Sequence, residues 1–102
     1  MARYTSSPGL FGQTNYYDES GNRVGESWPG MIEGSENFYG NDGNFLGSSA
    51  LGIASDQVFR DEHGDRLGSS MYTVYGRAFF DTDGELSGTS VETMTGEAFD
   101  FF

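Results

Sequence analysis

Along this chain short runs of alternating apolar and polar residues end, one after another, at clusters of Asp, Asn and Gly. Alternation with a period of two sends successive side chains to opposite faces of a β-strand, and Asp/Asn-Gly clusters are turn chemistry. No stretch carries a 3.6-residue apolar period, and the 16 glycines argue against long helices. The pattern also repeats. Residues 16–27 (Tyr-Tyr-Asp-Glu-Ser-Gly-Asn-Arg-Val-Gly-Glu-Ser) recur in outline at 38–49, 59–70 and 79–90. The turn glycines Gly21, Gly43, Gly64 and Gly84 set a period of about 21 residues, which reads as stacked copies of one hairpin. The first strand of each hairpin is expected at about 14–18, 36–40, 57–61 and 77–81, and the second at about 22–28, 44–50, 65–71 and 85–91.

Three columns are expected to form the core. They are the aromatics Tyr16, Phe38, Phe59 and Phe79; the aliphatics Val24, Leu46 and Leu67, with Ser87 as the exception; and Met31, Ile53, Val74 and Met94. Tyr17, Tyr39, Arg60 and Phe80 belong to the opposite face and should be partly exposed. Asp18, Asp61 and Asp81 stand where a side chain caps turn amides, and the turn glycines where positive φ is needed.

The ends fall inside units. Pro8-Gly9-Leu10-Phe11-Gly12 matches Pro29-Gly30-Met31-Ile32-Glu33-Gly34, and Gly96–Asp100 matches Gly76–Phe80. The expected fold is therefore all-β: one domain, 1–102, of tandem β-hairpin repeats in a continuous antiparallel sheet with a half-repeat at each end. The half-repeats leave three outcomes: an open, solenoid-like sheet, closure into a barrel or ring, or a homo-oligomer joined through edge strands.

Composition narrows the function. Net charge is −11, from 16 acids against five Arg and no Lys, so direct binding of nucleic acid or anionic membrane is not expected, and a basic protein partner is. There is no cysteine, no apolar run near membrane-spanning length and no apolar N-terminal leader, so the expected compartment is cytoplasmic. Catalysis is not expected. His63 is a turn residue, Ser27, Ser49, Ser70 and Ser90 lack a Gly-x-Ser-x-Gly elbow, and Asp81-Thr82-Asp83-Gly84 is too short for a twelve-residue calcium loop. No cofactor is expected.

The Tyr-Asp-x-x-Gly core resembles the YD repeats of Rhs-type shell proteins, and the paired aromatics with a following Gly are similar to MORN and choline-binding repeats. The resemblance covers about residues 5–100 and implies architecture. Choline-binding repeats build cages from Trp and Tyr, and a chain whose one tryptophan is Trp28 does not take over that activity. The expected role is a non-enzymatic acidic interaction protein. Its contacts would come from Asp18, Glu19, Asp61, Glu62, Asp81 and Asp83 at the turns and from Tyr17, Tyr39, Phe80 and Trp28 on the exposed face. One form of that role is a DNA mimic, like the small acidic inhibitors that phages direct at host nucleases. A glycan or cell-envelope module and a self-assembling protein are the other readings.

Overall fold

The computed structural model describes residues 2–52, 57–94 and 96–102. Ten strands alternate between seven and five residues: β1 (Ala2–Pro8), β2 (Thr14–Asp18), β3 (Arg23–Pro29), β4 (Glu36–Gly40), β5 (Phe45–Leu51), β6 (Gln57–Asp61), β7 (Arg66–Tyr72), β8 (Gly76–Phe80), β9 (Leu86–Glu92) and β10 (Glu97–Phe101). Each pairs antiparallel with its neighbours in the chain, and β1 pairs with β10, so the sheet closes into a barrel. Of the three arrangements open to the half-repeats, closure is the one adopted. The closing pair runs from Ala2↔Phe101 to Ser6↔Glu97, and Arg3 donates to Asp100 across it at 2.8 Å.

The hairpin turns have the expected chemistry. One oxygen of Asp18 accepts from the amides of Ser20 and Asn22, Asp61 serves His63 and Asp65, and Asp81 serves Asp83 and Glu85, all at 2.9–3.0 Å. Each turn closes on a glycine with positive φ, such as Gly64 at 86°.

The aromatic column is the core. Tyr16, Phe38, Phe59, Phe79 and Phe99 form a closed belt in which adjacent ring centroids are 6.2, 6.3, 6.1, 5.8 and 6.3 Å apart. Their strands alternate with others around the wall, so the backbones beneath the rings are roughly 9–10 Å apart. Rings closer together than their backbones converge on the barrel axis. A narrow ten-strand barrel has no room for ten large side chains at one level, and this chain supplies small ones in between. Each belt aromatic faces Ser6, Ser27, Ser49, Ser70 or Ser90 on the preceding strand. On the following strand, four of the five face Gly25, Gly47, Gly68 or Gly88. A Cβ at Gly68 would run into the carbonyl oxygen of Phe80. All five serines are buried, Ser27 and Ser70 at 1% exposure.

The other two expected core columns are not core. Val24, Leu46 and Leu67 are 39–55% exposed. The ladder pairs Tyr16 with Gly25 but Tyr17 with Arg23, and the same shift recurs in each of the four turn-linked hairpins. Val24, Leu46, Leu67 and Ser87 are thus the extra residues of four β-bulges, where strict alternation fails. Ser87 is then no exception, because the position is not packed and a hydroxyl there donates to the Phe79 carbonyl. Met31, Val74 and Met94 are 90–105% exposed in connections between hairpins, and Ile53 lies outside the described residues. Tyr17, Tyr39 and Phe80 are half-buried on the outer wall and Arg60 is exposed, as expected.

Candidate functional site

An up-and-down barrel sends alternate connections to opposite ends. The four Asp/Gly turns gather at one end and the connections between hairpins at the other. Three features result: an acidic end, an apolar end and a lumen between them.

At the acidic end Asp18, Asp61 and Asp81 each use a carboxylate oxygen on their own turn, whereas the side chains of Glu19, Glu62 and Asp83 are exposed. His63 is exposed there with its ring 3.4 Å from Glu62. The expected aromatic contacts are brought together only in part. Tyr17 (β2), Trp28 (β3) and Tyr39 (β4) share one sector of the outer wall, and Phe80 (β8) lies four strands beyond β4. Trp28 donates to Glu26 at 3.0 Å, and Tyr39 rests on Phe45.

The apolar end was not expected. Leu10, Phe11, Met31, Ile32, Val74, Tyr75 and Met94 are each between 75% and 105% exposed, with Glu33 and Glu92 among them. These connections are built turns. Gly9 donates to Gln13, Gly30 to Ser35, Thr73 to Gly76 and Thr93 to Gly96 at 2.7–2.9 Å. The backbone is thus satisfied locally, and the apolar side chains are held out from the barrel. The sequence signal was the apolar pairs bracketed by glycine, Gly9-Leu10-Phe11-Gly12 and Gly30-Met31-Ile32-Glu33-Gly34. Alternation counted across a turn mistakes such a pair for strand.

The lumen opens into a cavity of about 610 Å³ whose lining takes in all five belt rings and reaches outer-wall residues such as Tyr39. At its apolar-end mouth stands a ring of first-strand residues, Thr14, Glu36, Gln57, Arg77 and Glu97, each paired with a buried serine. Arg77 makes a two-point ion pair with Glu97 (2.6 and 3.2 Å), and its guanidinium lies 5.4 Å from the Phe79 ring and 5.9 Å from the Phe99 ring. Ser27 donates to Glu36 at 2.6 Å and stands 3.0 Å from the Tyr16 hydroxyl. Ser90 donates to Glu97 at 2.8 Å. Among the described residues no buried side-chain polar atom is left without a partner. Ser6, Ser27 and Ser90 are therefore wall residues with engaged hydroxyls, and the one histidine is at the far end.

Burial pushes the Tyr16 hydroxyl up to about 12, with the nearby Glu36 and Glu97 charges adding to the shift and Ser27 and Arg77 opposing it. The folded state then holds a proton that the unfolded state releases near pH 10, so stability must fall between about pH 10 and 12. A two-unit difference amounts to about 2–3 kcal/mol at the upper limit. Urea unfolding at pH 8 and at pH 11.5 should show this loss, and Tyr16→Phe should remove its own share of it. Equal pH dependence in the two proteins would place the Tyr16 hydroxyl in water.

No protein-family model, no curated protein and no solved structure matches this chain.

Proposed function

We propose that this chain is a non-enzymatic binding protein, and that it docks a protein partner through the apolar end of the barrel. The observation that carries this reading is the set of large apolar side chains held almost fully in solvent by ordered turns at one end. Leaving them exposed is unfavourable by about 25 cal/mol for each Å² that could have been buried, and large exposed apolar patches on a folded domain mark contact surfaces. With Glu33 and Glu92 among them and a net charge of −11, the complementary surface is an apolar patch rimmed by basic residues. The acidic turns stand at the other end, beyond a Debye length from this surface, so the local carboxylates Glu33 and Glu92 are the ones that orient such a partner. The narrower role of DNA mimic rests on charge alone, and the free carboxylates here stand around a barrel end rather than in rows.

The test is a comparison of variants. Leu10→Ser, Met31→Ser, Val74→Ser and Met94→Ser combined should leave the thermal midpoint unchanged, because these side chains touch little of the barrel. Capture of the cognate protein from the source cell should fall by at least about tenfold, as for buried apolar anchors. Neutralising Asp18, Glu19, Asp61 and Glu62 to their amides should leave capture largely intact, because those charges are screened from the apolar end. Undiminished capture by the apolar-end variant together with lost capture by the amide variant would overturn the assignment and move the contact to the turns.

A further inference from the structure

We propose that the lumen is a binding site for a small organic cation, an amidinium, guanidinium or alkylammonium group on a compact apolar body. Its seat is the face of the belt made by Tyr16, Phe38 and Phe59, with Glu36 as counter-ion.

The cavity has the size of a ligand site. At about 610 Å³ it falls within the roughly 300–1,000 Å³ that small-molecule pockets span, and aromatic rings are the largest class of its lining, interrupted by charged groups that include Glu36, Arg77 and Glu97. The belt rings are tilted by 47–51° to one another, so they present faces as well as edges to the axis. Aromatic faces carry negative potential and attract cations, most strongly where water is excluded.

The barrel already holds one cation in this way. Arg77 lies over Phe79 and Phe99 and is neutralised by Glu97. That arrangement occupies two of the five rings and one of the two carboxylates at the mouth. Tyr16, Phe38 and Phe59 have no cation over them among the described residues. Glu36 accepts from Ser27 and makes no ion pair among the described residues. The unoccupied half thus repeats the chemistry of the occupied half, an aromatic wall beside a carboxylate, and lacks only the positive charge. Glu36 also raises the Tyr16 pKa, which places its charge within electrostatic reach of the belt. The same carboxylates would repel an anion, and a neutral ligand would gain nothing from Glu36.

Benzamidine and its neutral counterpart benzamide separate charge from shape. In a chemical-shift titration of the full chain at pH 7, benzamidine should move the resonances of Phe38, Phe59 and Ser27, with affinity in the millimolar range or better. Benzamide should bind at least about tenfold more weakly, the difference that one cation–π and carboxylate contact produces. Glu36→Gln keeps the shape and the acceptor for Ser27 while removing the charge. It should weaken benzamidine at least about fivefold with no change in fold by circular dichroism. Arg77→Met vacates the second half of the cage and frees Glu97, so it should strengthen binding by a similar factor. Should Arg77→Met fail to fold, the Glu36→Gln comparison decides alone. Shifts confined to the acidic turns, equal binding of benzamide, or an unaltered affinity in Glu36→Gln would each overturn the proposal.

Discussion

Phe99→Ala should cost about 3–5 kcal/mol of stability, the range for large aromatic truncations in a packed interior. Phe99 is 7% exposed, and its ring packs against Tyr16 at 6.3 Å, Phe79 at 5.8 Å and Phe101 at 6.3 Å, with the Arg77 guanidinium 5.9 Å from its centre. Removing it breaks the belt, enlarges a lumen that is already partly open and strips Arg77 of one of its two ring contacts. Domains of this size hold roughly 5–15 kcal/mol in all, so the variant should be substantially unfolded well below the parent midpoint. Phe79→Ala should behave alike. Leu67→Ala, at a bulge position 55% exposed, should cost less than about 1 kcal/mol. Urea midpoints at constant slope measure all three. Comparable losses at Leu67 and Phe99 would mean that the bulge column is packed and the belt is not the core.

That contrast shows what the residues revealed and what they hid. The hairpin period, the turn chemistry, the strand positions and the inward aromatic column were all legible, because each follows from local rules: alternation, Asp capping and glycine at positive φ. The half-repeats at the ends carried the closed ring as one of three outcomes, and strand pairing between residues about a hundred apart is not a local property. The core composition was misread for two physical reasons. A bulge adds one residue to a strand, so a count of three from the turn glycine lands on Val24, Leu46 and Leu67 rather than on the inward glycines beside them. The apolar residues at Met31, Val74 and Met94 looked like core only on the assumption that large apolar side chains are inside. In a narrow barrel the inward places between the rings go to Ser and Gly, so the volume available, not hydrophobicity alone, decides what is buried. The mouth ring of Thr14, Glu36, Gln57, Arg77 and Glu97 was hidden because the position repeats while its residue type does not.

Deleting residues 97–102 should abolish the cooperative unfolding transition of the monomer. The deletion removes β10 and opens ladders on both sides, leaving the backbones of β1 and β9 as free edges. It also takes out Phe99 and Phe101 from the interior and the Glu97 carboxylate from Arg77, whose side chain is only 21% exposed. A charge left that deep without its partner is itself costly, by several kcal/mol when fully buried and less here. Two free edges on a curved sheet are templates for pairing, so the truncated chain should either lose its fold or associate through β1 and β9. Sedimentation equilibrium and chemical unfolding distinguish these from the parent. Adding a synthetic peptide of residues 93–102 in excess should restore the monomeric transition, because an extended peptide can complete the sheet in trans through the same backbone bonds. The same peptide with its Phe99 position changed to Ala should fail to do so, since the backbone ladder alone does not rebuild the belt. A truncated protein that stays monomeric with an unchanged unfolding midpoint would show that β10 is not a working stave of the barrel.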